Sequence, residues 1–174
     1  MTELKQIKAL IREVPDFPEP GISFKDITTL LRDASGLKAT VDALVERFAG
    51  EQIDVVVGIE SRGFILATPM AIELGCGFAP VRKPGKLPAQ TLKQEYDLEY
   101  GSDVVEIHAD AIDPGQKVLI VDDVLATGGT MAAACQLLEQ LEADIVGISV
   151  LAELSFLRGR DRLPALRLES AIVY

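Results

Sequence analysis

Several residue types that build metal sites and cross-links are scarce in this 174-residue sequence. It has no tryptophan, one histidine and two cysteines. His108, Cys76 and Cys135 are too few for a structural zinc site, which takes about four such ligands, or for a disulfide framework. No apolar run approaches the ~18 residues of a membrane span, and we find no signal-peptide pattern at the N-terminus. These absences predict a soluble protein of the reducing cytoplasm.

Positive charge is also scarce. The chain has 17 Lys and Arg against 27 Asp and Glu, a formal net charge of −10. Proteins that coat nucleic acid or lie on membranes need clustered Lys and Arg, so both roles are disfavoured, although a local basic pocket for one small anion is not. The chain is 48% hydrophobic and 25% charged, which is typical of a globular chain. We expect a single domain spanning residues 1–174.

Short β-branched runs alternate with helical patterns along most of the chain. Such runs are typical of strands buried on both faces, and apolar residues spaced three and four apart indicate helices. The alternation predicts an α/β fold with a mostly parallel sheet flanked by helices. The predicted strands are 53–57, 78–81, 118–121 and 145–151. The predicted helices begin near Leu4, after Ser35, at Phe64 and at Thr130, and they end by Pro15, Gly50, Leu74 and Leu141, with an extended segment at 15–21.

The stretch 82–108 departs from this rhythm. It begins with the basic run Arg-Lys-Pro-Gly-Lys-Leu-Pro. Polar and apolar residues then alternate over Glu95–Tyr100 and Val104–His108, which indicates two exposed antiparallel strands. Long excursions of this kind often form mobile active-site lids. We therefore predict a flap over 82–108.

Two acids and a glycine-rich turn follow the third predicted strand. Asp122 and Asp123 come first, and Ala126–Thr130 lead into a helix. Ligands of open α/β sheets bind at the carboxyl ends of strands, where the backbone N–H groups of such a turn and of the helix start bind phosphate. Thr127 and Thr130 can add hydroxyl donors. The acids do not favour phosphate, so they are expected to face a ribose diol or Mg²⁺.

This run resembles the phosphoribosyl-pyrophosphate signature of the type I phosphoribosyltransferases. The resemblance implies that fold, with a small antiparallel flap and an N-terminal hood segment. It also implies a homodimer, and Mg²⁺ bound mainly through the substrate near the two acids. In that family the acids Asp122 and Asp123 bind the ribose hydroxyls, and the residues that wrap the 5′-phosphate are Ala126, Thr127, Gly128, Gly129 and Thr130.

A second loop, Gly58–Phe64, resembles the pyrophosphate-binding loop of the branch of this family that uses adenine. It contains Glu60, Ser61 and Arg62, whose guanidinium offers a planar fork for diphosphate oxygens. Taken alone, a helix-start serine beside a solvated arginine explains the same residues equally well. In that branch the loop often carries a cis peptide, and the sequence leaves its presence at Glu60–Ser61 open.

The flap also resembles that branch, through its basic start and its Tyr-Asp-Leu-Glu-Tyr-Gly run at 96–101. Periodicity places Glu95, Asp97 and Glu99 on one face and does not choose among them. The resemblance selects Glu99 as the acid brought over the reacting atoms. A solvated surface loop is the alternative for the basic residues. The resemblance assigns Lys83, Lys86, Glu99 and Tyr100 to the site.

Upstream, residues 16–27 resemble the segment that forms the purine pocket in the same branch. Phe24 would stack on the base, with plain core filling as the alternative. The resemblance also assigns Lys25 to this pocket, although many members have Arg at this position and lysine lacks the planar fork of that side chain.

The reaction that the resemblance implies is adenine plus phosphoribosyl pyrophosphate giving AMP and pyrophosphate. Its expected catalytic residues are Glu99, Arg62 and Lys86. Two alternatives stay open. One is transfer to a 6-oxopurine such as xanthine or hypoxanthine. The other is a phosphoribosyl-pyrophosphate-sensing regulator, which would need a basic surface or an added DNA-reading module.

Overall fold

Five parallel strands form the central sheet in a computed structural model that describes residues 3–97 and 101–174. The strands are β1 (Arg12–Val14), β2 (Phe24–Asp26), β3 (Val55–Ile59), β4 (Gly77–Val81), β5 (Thr91–Asp97), β6 (Ser102–His108), β7 (Lys117–Leu125), β8 (Asp144–Glu153) and β9 (Leu168–Val173). The helices are α1 (Glu3–Leu10), α2 (Thr28–Arg32), α3 (Ala34–Glu46), α4 (Gly63–Leu74) and α5 (Gly129–Gln140), and two short 3₁₀ turns lie at Ser155–Leu157 and Gly159–Arg162.

The sheet has the order β4-β3-β7-β8-β9, and every neighbouring pair is parallel. Alternate residues of a strand point to opposite faces, so Val57 and Ile120 pack in the cluster that includes α5, whereas Val56 and Leu119 pack in the cluster that includes α3 and α4. Burial on both faces explains the continuous apolar runs. The predicted α/β fold with a mostly parallel sheet is confirmed.

The flap is an antiparallel pair, as predicted. Strands β5 and β6 pair from Thr91↔His108 to Asp97↔Ser102. The backbones of Arg82 and Glu106 exchange hydrogen bonds of 2.8 and 2.7 Å, which join the base of the flap to the segment after β4. The flap is not wholly exposed, because Val105 and Ile107 are buried in the core.

The N-terminal part differs from the prediction. Helix α1 ends at Leu10 instead of continuing toward Pro15, because residues 12–14 pair with β2 in a small antiparallel hairpin. The segment 15–21 forms exposed turns rather than an extended chain. Gly21 has φ +87° and donates its N–H to Asp16 Oδ1 at 2.7 Å, which closes the turn.

The bounds of two central strands also differ from the prediction. Strand β3 begins at Val55, and β7 continues through both acids to Leu125, so the acids lie within the strand and not after it. Helix α2 and strand β9 were not predicted. Cys135 is buried on α5, and burial raises the pKa of its thiol to about 12. Within 3–97 and 101–174, no helix has the length and apolar character needed to cross a membrane.

Candidate active site

The carboxyl ends of β3 and β7 lie side by side and bring the two predicted loops together. Gly58 is in register with Val121 across the pair. A Cβ on Gly63 would lie 2.9 Å from Asp122 Oδ1 and 2.9 Å from the Val121 carbonyl oxygen. Only glycine permits that approach, so the loop of residues 60–63 packs directly on the acidic end of β7.

Arg62 connects that loop to the acids. Its Nε donates to Asp123 Oδ2 in a short ion pair. The carboxyl side chain is 6% exposed, whereas the arginine side chain is 42% exposed. The guanidinium carbon also lies 5.4 Å from the centroid of the Phe24 ring. Arg62 therefore lies between an acid of β7 and the N-terminal hairpin, with part of its guanidinium open to a ligand.

The acidic pair is electrostatically strained. Burial, followed by the negative charge of Asp123, raises the pKa of Asp122 well above its ordinary value. The Asp123 backbone N–H donates to Asp122 Oδ1 at 2.8 Å, and Arg62 relieves the pair only in part. A ligand that brings hydroxyl donors or positive charge would stabilise the ionised pair.

Residues Ala126–Thr130, the phosphate cradle, curve from the end of β7 into α5. Gly128 precedes the helix with φ +84°, a left-handed conformation that favours glycine, and no side chain caps the helix start. Free backbone N–H groups at this end suit an anion. A small cavity of about 80 Å³ lies here. Its lining is Asp122, Val124, Leu125, Ala126, Thr127, Gly128, Gly129, Thr130 and Met131.

Glu60 contacts the basic run at the start of the flap through the side chains of Arg82 and Lys86 and the backbone of Lys83. Its carboxylate accepts from Lys86 Nζ at 2.5 Å, from the Lys83 backbone N–H at 2.8 Å and from Arg82 Nε at 3.3 Å. Burial alone would raise the pKa of Glu60, but these hydrogen bonds outweigh it and lower the pKa. The peptide between Glu60 and the exposed Ser61 is cis, which answers the question left open by the sequence.

The Lys83 ammonium points to the flap instead. It pairs closely with Asp103 and donates to the Tyr96 hydroxyl at 2.9 Å. Burial alone would lower its pKa, but Asp103 and Tyr96 raise it. Both partners were missed by the sequence analysis. The predicted residues Glu99 and Tyr100 lie outside the described residues.

A second, more apolar cavity of about 270 Å³ adjoins the phosphate cradle. Phe24 lines it, half-buried and 5.2 Å edge-to-face from Phe17, and it belongs to neither core cluster. Lys25 also lines it, although its ammonium is 2.6 Å from Glu13 Oε1. The lining is Ile22, Ser23, Phe24, Lys25, Arg62, Val124, Ala126, Leu154 and Leu157.

Three of these lining residues, Val124, Leu154 and Leu157, were not predicted as site residues. Val124 lies between the two acids and the glycine turn, so its position in the sequence could have predicted that it lines the site. The two leucines come from the segment after β8. They reach the apolar cavity because this segment lies next to the end of β7, where the Leu154 N–H donates to the Leu125 carbonyl at 2.9 Å.

A parallel sheet with an acidic pair and a glycine cradle on one strand, and an arginine loop on the next, defines a transferase of the type I phosphoribosyltransferase class. Residues 26–172 match the family model described as the phosphoribosyl transferase domain. Adenine phosphoribosyltransferase from Acidobacterium capsulatum is 55% identical, covering 97% of this chain and 93% of the relative. The enzyme from Rhodospirillum centenum is 60% identical over 90% and 92%. The chain belongs to the adenine phosphoribosyltransferase family.

Solved structures agree with this assignment. Adenine phosphoribosyltransferase from Thermoanaerobacter pseudethanolicus is 50% identical with a TM-score of 0.96, covering 98% of this chain and 99% of that one. The Saccharomyces cerevisiae enzyme was solved with adenine and an imino-altritol bisphosphate; it is 42% identical with a TM-score of 0.92, and coverage is 97% and 98%. The family resemblance predicted from the sequence is confirmed.

Proposed function

We propose that the chain transfers the 5-phosphoribosyl group from phosphoribosyl pyrophosphate to adenine, giving AMP and pyrophosphate, as a glycosyltransferase of purine salvage. One observation carries the proposal: Val124 and Ala126 line both the phosphate cradle cavity and the apolar cavity. A phosphate in the first and a purine in the second are then close enough for one ribose to join them.

In this proposal the two acids of β7 hold that ribose. Asp122 lines the cradle cavity, and Asp123 is buried beside it. Their carboxylates accept hydrogen bonds from the sugar hydroxyls, while the N–H groups of the phosphate cradle bind the 5′-phosphate. Fixing both ends of the sugar orients its anomeric carbon toward the base in the apolar cavity.

In the proposed reaction a purine nitrogen forms a bond to the anomeric carbon, and the bond from that carbon to the pyrophosphate oxygen breaks. The electron pair leaves with pyrophosphate, and positive charge builds on the ribose. Arg62, with its open guanidinium edge, and Lys86 stabilise the leaving group. Glu99 takes the proton that the purine ring loses; this role rests on family resemblance.

The basic side chains must exchange partners for this to happen. Lys86 and Arg82 contact Glu60, and Lys83 contacts Asp103. A pyrophosphate group carries more charge than one carboxylate and competes for the same cations. Binding of the donor would therefore break these ion pairs with protein carboxylates and replace them with contacts to the substrate. This exchange suits a flap over residues 82–108 that closes on the donor, while residues 16–27 form the proposed purine-pocket segment.

We further propose Mg²⁺ as the cofactor, near Asp122 and Asp123. The described residues contain no group of three or more His, Cys, Asp or Glu that could hold a metal ion, whereas Mg²⁺ is commonly held by one or two carboxylates and substrate phosphates. The acidic pair fits that mode, because burial and then the charge of Asp123 raise the pKa of Asp122, and a nearby cation would favour the ionised carboxylates. When bound, the ion would neutralise charge on the diphosphate.

We also propose a cytoplasmic homodimer of one domain, 1–174. Free thiols at Cys76 and Cys135 suit a reducing compartment. Ile65 and Ile72, seven residues apart on α4, are 44% and 75% exposed, which suits an apolar subunit contact. Sedimentation would test the dimer. A monomer at micromolar concentration would contradict it.

The central test is AMP formation from adenine and phosphoribosyl pyrophosphate, with and without Mg²⁺. Hypoxanthine and xanthine serve as competing acceptors under the same conditions. We expect Mg²⁺-dependent turnover with adenine and little with either 6-oxopurine. Faster transfer to a 6-oxopurine, or binding of the donor without transfer to any base, would contradict the proposal.

A further inference from the structure

Gly159 contacts the phosphate cradle with no side chain between the two backbones. A Cβ on Gly159 would lie 2.3 Å from the Ala126 carbonyl oxygen and 3.1 Å from the Gly128 nitrogen. A Cβ on Gly128 would lie 2.3 Å from the Gly159 carbonyl oxygen. Neither side tolerates a methyl group. Gly128 also has a left-handed φ, whereas the demand for glycine at position 159 comes from close approach alone.

The segment that carries Gly159 is fastened to the sheet. Arg160 donates from Nε and from a terminal guanidinium nitrogen to the two carboxylate oxygens of Glu153, at 2.7 and 2.8 Å. Such paired, charged hydrogen bonds fix direction as well as position. Glu153 ends β8, is 6% exposed, and also accepts from the Ser170 hydroxyl on β9. The Arg160 hydrogen bonds lower the pKa of Glu153.

The phosphate cradle needs an outside support of this kind. Its helix start has no side-chain cap, and Thr127 at its tip is exposed. The backbone conformation of the cradle therefore sets the direction of the N–H groups around the small cavity. This stretch of backbone packs directly against the backbone of Gly159. A binding site holds its geometry only if the surrounding atoms fix it.

We propose that Gly159 is a positioning residue for phosphate binding. Its backbone, held by the Arg160–Glu153 ion pair, sets the curvature of Ala126–Gly128 and so aims the N–H groups of the phosphate cradle at the 5′-phosphate. The inference rests on the proposed function, since it needs a phosphate in the cradle. It adds a second segment, remote in sequence, to the phosphate site.

The test is Gly159→Ala, with Gly147→Ala as the matched control. A Cβ on Gly147 would lie 2.7 Å from Phe48 Cε1 and 3.0 Å from the Arg167 carbonyl oxygen, so this variant is also destabilised, but at the other end of β8. Calorimetric titration with ribose 5-phosphate measures binding directly, and thermal melting measures stability. We expect Gly159→Ala to weaken binding about 10- to 100-fold. Gly147→Ala is expected to bind like the wild type despite a lower Tm.

Kinetics give a second readout. Gly159→Ala should raise the KM for phosphoribosyl pyrophosphate while kcat at saturation changes much less. If Gly159→Ala does not fold, Arg160→Lys replaces it, since lysine keeps the charge and removes the planar fork. Its control is Arg167→Lys, which changes the pairs with Glu51 and Glu169 instead. Weaker binding in Arg160→Lys alone supports the inference.

Two failures are distinguishable. A wild-type protein that does not bind ribose 5-phosphate contradicts the proposed function and this inference with it. A wild-type protein that binds, together with a folded Gly159→Ala variant of unchanged affinity, overturns the inference alone. Equal weakening in Gly159→Ala and Gly147→Ala also overturns it, because general destabilisation would then account for the effect. Unchanged affinity in Arg160→Lys, where that variant is used, overturns it as well.

Discussion

The Thr130 hydroxyl donates to the Tyr96 hydroxyl at 3.1 Å and thereby joins the phosphate cradle to the flap. Tyr96 also accepts from Lys83 Nζ at 2.9 Å and donates to Asp103 at 3.1 Å. A phenol has one proton to give and accepts hydrogen bonds on its oxygen, so these contacts are mutually consistent. Phosphate arriving at Thr130 would compete with Tyr96, which would couple ligand binding to the position of the flap.

Replacing Tyr96 by phenylalanine should loosen the flap. The ring keeps its packing, but the hydroxyl that joins Thr130, Lys83 and Asp103 is lost. Since each hydrogen bond contributes about 0.5–1.5 kcal/mol net, we expect amide hydrogen exchange in β5 and β6 to rise about 2- to 10-fold, with β3 unchanged. Exchange followed by mass spectrometry measures this. Tyr174→Phe is the control, and unchanged flap exchange in Tyr96→Phe would contradict the coupling.

The contacts of Tyr96 are of a kind that the sequence alone does not predict. The cradle and the strands around it were predictable because strong apolar runs and a specific acid-glycine pattern coincide there. The Tyr96–Thr130 contact joins residues 34 positions apart, and the Arg62–Asp123 pair joins residues 61 apart. Such pairings exist only once the chain is folded, and the local sequence carries no signal for them.

The missed elements have a similar explanation. Strand β1 has three residues, none of them buried, so it leaves no apolar pattern in the sequence. It is defined by its pairing with β2, 10 or more positions along the chain. Strand β9 lies at the sheet edge, with only Ala171 and Ile172 buried, so its apolar pattern is weak. Leu154 and Leu157, which line the apolar cavity, follow a predicted strand, but their direction depends on how the chain continues past the end of β7.

The raised pKa of Asp122 predicts a stability cost near neutral pH. Burial and the charge of Asp123 disfavour the ionised form, so the folded chain binds a proton more tightly than the unfolded chain, whose ordinary value is 3.8. Stability is therefore lost as pH rises above that value. Asp122→Asn removes the cost. We expect its Tm to exceed that of the wild type by about 2–4 °C at pH 7, and the gain to shrink toward pH 4.

Asp103 supplies a control of opposite sign. The hydrogen bond from Lys83 lowers its pKa, so the ionised form adds stability that is present above the ordinary value and lost in acid. Asp103→Asn should then lower Tm at pH 7, with a smaller loss toward acid pH. A gain for Asp122→Asn that does not depend on pH would contradict the electrostatic origin of the effect. Activity of Asp122→Asn should fall, because sites often trade stability for function.

Phe24 should matter for adenine and not for the sugar-phosphate donor. Its ring lines the apolar cavity, and stacking of a base on an aromatic ring is worth about 1–3 kcal/mol. Phe24→Leu is therefore expected to raise the KM for adenine about 10-fold and leave the KM for phosphoribosyl pyrophosphate nearly unchanged. Phe156→Leu is the control, at a ring that is 68% exposed. An unchanged KM for adenine would contradict stacking on the base and would leave Phe24 as a residue that only packs against its neighbours.

The choice among three acids of the flap can be settled by comparing isosteric variants. Glu95 is exposed and accepts from the Ser102 hydroxyl, and Asp97 is exposed opposite the same serine; Glu99 lies outside the described residues. A proton acceptor contributes about 10²- to 10⁴-fold to a rate. Single-turnover measurements on Glu95→Gln, Asp97→Asn and Glu99→Gln should show that loss in the last variant alone, with donor affinity retained.

Each substitution in that comparison removes one negative charge and keeps the side-chain shape, so a general electrostatic effect on the flap would slow all three variants alike. Only a residue that receives the purine proton should depress kcat without changing the KM for the donor. A loss of rate confined to Glu95→Gln or Asp97→Asn would contradict the assignment of Glu99 and would give the catalytic role to Glu95 or Asp97. Wild-type rates in all three variants would leave proton removal to water or to the leaving pyrophosphate, and the flap would then act by excluding solvent.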